Sequence, residues 1–279
     1  MLRNYLPRDM SIMEKIADDL TVKLEFVEVT TKTPRYSNLK DSFPIFIIST
    51  FGPKPLEGLI SNLMSPAFCS SIGTSECPRE SALKLYKSLN RIQSKAGVTL
   101  LSETWSTPIV FELMKLLDKD GRKYRLFTLE GNPLTWKDRI RSLGPINSSQ
   151  FENNLIAELF NISSEIPLDT LLGVNKPLPQ KISDYMCSRN YPSINIFKIL
   201  KILHSIQLGV DMISKYECDD QLIKNTICLS QNPNEREILR MSVTSEVFVH
   251  EEDDYQKFLS SYEVSKKINS NILHTVWYD

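Results

Sequence analysis

Residues 96–117, AGVTLLSETWSTPIVFELMKLL, constrain the fold more than any other stretch of the chain. Val98 to Leu101 is a short, partly β-branched apolar run of the kind buried on both faces of a sheet. Ile109, Phe111, Leu113, Met114, Leu116 and Leu117 then recur as the broad apolar face of a helix. Only Ser102, Glu103, Thr104, Trp105 and Ser106 stand between the two. A buried strand that passes into a buried helix through so short a turn requires sheet and helix in adjacent layers.

The same alternation recurs along the chain. Residues 43–49, FPIFIIS, form a continuous apolar run of strand length, followed by a turn at Thr50, Phe51, Gly52 and Pro53 and by Leu56, Leu59, Ile60 and Leu63 at helical spacing. Residues 67–77 read as a second short strand with its exit loop, and Pro78 and Ser81 open a helix that runs through Ile92. Residues 124–129, YRLFTL, make another buried strand ending at Glu130. Strands alternating with helices predict an α/β fold with a mainly parallel sheet. Between residues 148 and 216 the strand signal stops, and helical segments are expected at 150–160, 168–172 and 194–212. An all-helical lobe inserted there is the usual way to build a lid over a site at the carboxyl ends of the strands. Strands resume at 226–230 and 246–250, residues 253–259 read as a loop entering a helix, and 264–273 as a closing helix. Ahead of the domain, Ser11 and Glu14 suit a capping box for a helix over residues 11–20. An alternating stretch at 22–29 and a polar loop broken by Pro34 follow. The expected organisation is an N-terminal helix and linker over residues 1–42 and one domain over 43–279, with its lid at about 148–216.

Charge and composition exclude several classes. With 33 basic and 34 acidic side chains the formal net charge is -1, which gives no general attraction for nucleic acid or an anionic membrane surface. No stretch reaches the roughly 18 consecutive apolar residues of a membrane span, and the N-terminus has charges where a secretory segment needs an unbroken apolar run. The five cysteines are scattered and lack the close pairs of a zinc site, as expected of a reduced cytoplasmic protein. The glycine content is low and no glycine loop that cradles phosphate follows a strand, so a nucleotide cofactor is not expected, nor is a metal.

In the order of its pieces the chain resembles the thioesterase domain that ends animal fatty acid synthases, an α/β-hydrolase with an inserted helical lobe. The resemblance spans residues 43–259 and is carried by three segments. FPIFIISTFGP is similar to the first core strand and the loop that lends an oxyanion donor. LSETWSTPIVFELMKLL is similar to the nucleophile elbow and its helix, including Val110, Phe111 and Glu112. LFTLEGNP is similar to the strand that presents the triad acid. The resemblance implies hydrolysis of a long-chain fatty acyl thioester of acyl carrier protein, through a serine, a histidine, an acid and backbone N–H donors to the oxyanion. Carried over by position, the serine is Thr104, the acid Glu130 and the base Tyr255, with backbone donors at Phe51 and Trp105.

Each substitution bears on that chemistry. Thr104 is β-branched at a turn where an elbow nucleophile is held strained, and Ser102 and Ser106 stand where the family has glycine. Glu130 suits either orientation of a base or hydrogen bonding to its own turn. Tyrosine, with an unperturbed pKa of about 10, is a poor general base at neutral pH. Among the three histidines, His204 falls in the lobe and His274 beyond the expected loop, which leaves His250 as the alternative base. The acidic run Glu251, Glu252, Asp253 and Asp254 reads as a solvated loop. Two functions are therefore open: a slow hydrolase using Thr104, Glu130 and a displaced base, or a pseudoenzyme that binds an acyl chain or carrier protein without turnover.

Overall fold

The structure, a computed structural model, describes residues 16–18, 20, 23–29, 44–73, 77–93, 97–129, 133–146, 148–160, 162, 176–188, 196–217, 226–230, 246–250 and 255–273. Among the described residues seven strands form one sheet: β1 Lys23–Glu28, β2 Ile45–Ser49, β3 Ala67–Ser71, β4 Val98–Glu103, β5 Tyr124–Leu129, β6 Thr226–Ser230 and β7 Glu246–Val249. Their order is β1-β3-β2-β4-β5-β6-β7, and every neighbouring pair is parallel except β1 with β3. The central strands β2 and β4 are buried along their whole length, which is why their sequences are continuous apolar runs rather than alternating ones. In the β2–β4 pair Ile48 lies opposite Ser102, so the next residues, Ser49 and Glu103, stand side by side at the carboxyl ends of both strands.

Nine helices are described: α1 Glu57–Asn62, α2 Pro78–Ile92, α3 Thr107–Lys119, α4 Pro133–Ser142, α5 Ser149–Phe160, α6 Leu178–Ser188, α7 Ile196–Lys215, α8 Tyr255–Ser260 and α9 Tyr262–Leu273. Alternate residues of the strands point to opposite faces and so build two cores. Phe46, Ile48, Leu100 and Leu126 pack with Leu85, Leu89, Val110, Phe111 and Met114 of α2 and α3. Ile45, Ile47, Leu101 and Phe127 pack on the other face, against α1, the helices of the lobe and the closing helices.

The helical lobe is inserted between β5 and β6 as α4 to α7, and all regular elements described there are helical. The short helix expected at 168–172 lies outside the described residues, as does most of the one expected at 11–20, of which 16–18 are helical. β1 joins the same sheet as the strands after residue 43, so the boundary expected at residue 42 separates two segments of one sheet. At this edge of the sheet the Phe26 N–H donates to Ser88 Oγ of α2 at 2.8 Å, so one outward-facing edge amide is covered. No helix among the described residues is long and apolar enough to cross a membrane.

Candidate functional site

β4 passes into α3 through a single 3-10 turn, Thr104–Ser106. Pro108 lies in the first turn of α3, where its missing N–H breaks no helical bond. Both serines that flank the turn are fully buried, as is Thr107. Ser106 Oγ lies 2.6 Å from the Ile48 carbonyl of β2 and 2.6 Å from the Glu103 carbonyl. Ser102 Oγ lies 3.0 Å from Ser106 Oγ and 3.3 Å from Thr107 Oγ1. Where a glycine would let strand and helix approach, the chain has placed hydroxyls that bond strand to turn and turn to neighbouring strand. Buried and engaged with one another, Ser102 and Ser106 hold the fold and present no nucleophile.

Glu103 is the residue that sequence reasoning passed over. Its side chain is 3% exposed, on the lobe face of the sheet beside Ser49. Ser49 Oγ donates to Glu103 Oε2 at 2.5 Å, and the Thr50 N–H donates to the same oxygen at 3.0 Å. The Phe51 N–H donates to Ser49 Oγ at 3.2 Å. Burial pushes the Glu103 carboxyl above its ordinary range, against the opposing pull of the donors from Ser49, Thr50 and Phe51. The backbone donors of the loop after β2 thus point inward at a carboxyl and a hydroxyl of the chain itself. The one available signal was an acid at the inner end of a buried apolar strand, VTLLSE.

Above the turn the lobe closes directly. Trp105 is buried and its ring lies 4.7 Å from that of Trp136 in α4. α7 crosses over the turn at Gly209, where an added Cβ would lie 3.3 Å from both Cβ and Cε3 of Trp105. Glycine is used here because two elements approach this closely.

The other residues expected at a site lie on several elements. Thr104 is the first residue of the 3-10 turn, and Tyr255 is the first residue of α8. Glu130, His274 and the acidic run 251–254 lie outside the described residues. His204 is on the exposed side of α7. His250 follows β7, three strands from β4 and so about 14 Å across the sheet. Its Nε2 is 3.1 Å from Ser261 Oγ, and its ring packs near Phe258 at 6.4 Å between centroids. Among the described residues no cluster of three or more His, Cys, Asp or Glu side chains is placed to hold a metal ion.

No family model matches the chain, and no curated protein is similar to it in sequence. Solved structures do match. A four-domain nonribosomal peptide synthetase, holo-AB3403 bound to AMP and glycine, superposes with a TM-score of 0.57 at 12% identity, over 92% of this chain and 21% of that one. The Vlm2 thioesterase domain gives 0.54 at 13% identity, over 88% of this chain and 97% of that one. YbtT, a type II thioesterase from the yersiniabactin pathway, gives 0.53 at 10% identity, over 89% and 98% respectively. At these identities the likeness establishes the fold: the chain is an α/β-hydrolase fold with a helical lobe, shared with thioesterase domains.

Proposed function

We propose that this chain is a thioesterase-like protein, related to the fatty acid synthase thioesterase, that binds a fatty acyl group or its carrier protein in the cytoplasm and hydrolyses the thioester slowly or not at all. The observation that carries this is the direction of the loop donors after β2. In a working site a backbone N–H there faces the developing oxyanion, and losing one such donor costs about a hundred- to a thousandfold in rate. Here the Thr50 N–H is bound to Glu103 and the Phe51 N–H to Ser49. Residual hydrolysis falls to Thr104, whose hydroxyl oxygen attacks the acyl carbon as a base takes its proton and passes it to the leaving thiol. A water deprotonated by the same base then cleaves the acyl-threonine ester to the free acid. Tyr255 or His250 is the candidate base, Glu130 the acid that orients it, and Trp105 the candidate N–H donor, joined by Phe51 only when its N–H leaves Ser49. An ineffective base costs about a further hundred- to ten-thousandfold.

The test is thiol release from palmitoyl thioester, compared with Thr104→Ala, together with equilibrium binding of palmitate and of acyl carrier protein. Wild type and Thr104→Ala are both expected to match the uncatalysed background while at least one ligand binds saturably. Turnover above background that disappears in Thr104→Ala would establish the hydrolase instead. Failure to bind either ligand would remove the binding function.

A further inference from the structure

The connection between α8 and α9 brings a serine to the histidine that follows β7, three strands from the turn after β4. Ser261 Oγ lies 3.1 Å from His250 Nε2, and both residues are half-buried. From this geometry we infer that Ser261 and His250 form a second acyl-transfer site, with Ser261 as nucleophile and His250 as its base, acting on small acyl esters and thioesters. The inference goes beyond the reading above: it gives His250 a nucleophile of its own and stands whether or not Thr104 turns over.

The two roles follow from what each atom already does. Ser261 caps α9: the Glu263 N–H donates to its Oγ at 3.2 Å and the Ser265 N–H to its carbonyl at 3.2 Å. Capping uses the hydroxyl oxygen as an acceptor and leaves its proton to be given elsewhere. With the ring proton on Nδ1, His250 Nε2 accepts it, and this hydroxyl-to-imidazole contact is what a serine needs to become nucleophilic. Among the described residues it is the one histidine ring with a serine hydroxyl in reach. The serines at the turn lack such a partner, since Ser102 and Ser106 are fully buried and bonded to each other.

Both groups are held by their backbones. The His250 N–H donates to the Ser230 carbonyl at the end of β6 at 3.0 Å, and the Ser261 N–H to the Phe258 carbonyl at 3.1 Å. The His250 ring lies 6.4 Å from that of Phe258, which is fully buried. Asn62 Nδ2 of α1 donates to the Ser260 carbonyl at 3.2 Å, and Gly58 lets α1 close on Ser260, whose Oγ leaves no room for an added Cβ. In the reaction Ser261 Oγ attacks the acyl carbon while His250 Nε2 takes its proton and passes it to the leaving alkoxide or thiolate. A water deprotonated by the same nitrogen then cleaves the acyl-serine to the free acid. The N–H groups of the first turn of α9, which have no carbonyl within the helix to bond, stand beside Ser261 and favour negative charge on the acyl oxygen. Tyr262, the next residue, is 67% exposed and offers the acyl group an aromatic face. A half-exposed site of this kind takes a small acyl group, since a long chain needs an enclosed groove.

The experiment uses the full chain with p-nitrophenyl acetate as substrate and a fluorophosphonate as covalent probe, the modified residue being located by mass spectrometry. Wild type is expected to hydrolyse the ester above the buffer background and to carry the probe on Ser261. Ser261→Asn keeps a capping side chain but no nucleophile, and should lose both. His250→Gln keeps a hydrogen-bonding side chain but no base, and should lower labelling and hydrolysis about a hundredfold or more. The thermal midpoint of each variant reports that it folds. An unlabelled Ser261 in wild type, hydrolysis that persists in Ser261→Asn, or a rate unchanged in His250→Gln would overturn the site. A probe found on Thr104 with Ser261 unmodified would overturn it too, while favouring the hydrolase at the turn.

Discussion

A buried carboxyl group is tolerated only through the donors that meet it, and Glu103 has three groups arranged around it. Burial nevertheless outweighs those donors, so its folded pKa lies above the value of the unfolded chain. The folded state therefore holds its proton to higher pH than the unfolded state. The stability this contributes is fully present below the unfolded value and is lost as pH rises through the folded one. Glu103→Gln removes that titration. Unfolding by urea from pH 4 upward should show wild type losing ground to Glu103→Gln as pH climbs above about 4.5, by about 1.4 kcal/mol for each unit by which the pKa is raised. Parallel pH profiles for the two proteins would show that the carboxyl has ordinary acidity. Cys69 of β3 feels the same surroundings: burial first, and the Glu103 charge second, push its thiol up to about 12. Alkylation of the native protein at pH 8 should therefore label Cys77 and Cys187, which are exposed, and spare Cys69. Labelling of Cys69 at a rate comparable to theirs would contradict the placement.

At the scale of elements, the strand, turn and helix at residues 98–119 owe their joint to hydroxyls. Ser106→Ala keeps the Cβ but removes the donor to the Ile48 and Glu103 carbonyls, leaving buried acceptors less satisfied. It should destabilise the fold by about 1 to 3 kcal/mol in denaturant titration. An unchanged midpoint would mean that the hydroxyl is dispensable. The elements themselves were legible in the sequence because apolar period and length decide them, as β2, β4, β5 and α3 show. β1 was visible as an alternating stretch, but its membership of the sheet depended on pairing with Ala67–Ser71, which no local pattern records. The elbow frame was legible for the same reason as the strands. Its internal bonds were not, since Ser49 and Glu103 meet across 54 residues and only parallel register brings them together. Nor did the sequence reveal that Trp105 is roofed by Gly209, a contact made by a helix more than a hundred residues away.

Across the whole molecule, the lobe is held over the turn by a segment more than a hundred residues before it in the chain. Ile16, Ala17 and Leu20 are buried in the core that the lobe shares with the sheet. Lys198 of α7 reaches Asp18 at 2.8 Å, and Lys201 donates to the Ala17 carbonyl at 2.9 Å. These attachments differ in weight. The Lys198–Asp18 pair is partly exposed, more so at Asp18, and worth about 1 kcal/mol at most. Burial of an isoleucine or leucine side chain contributes about 1.5 to 3 kcal/mol each. Ile16→Asp with Leu20→Asp should therefore loosen α7 far more than Lys198→Ala with Lys201→Ala does. Hydrogen exchange over Ile196–Lys215 measures the loosening. Fluorescence from the Trp105–Trp136 pair reports separation at the turn, because α7 rests on Trp105. The expected result is faster exchange along α7 and a changed emission in the apolar pair of variants, with exchange at the sheet strands β2 and β4 left near that of wild type. Exchange that rises uniformly through sheet and lobe would show that residues 16–20 stabilise the whole domain without acting selectively on the lobe.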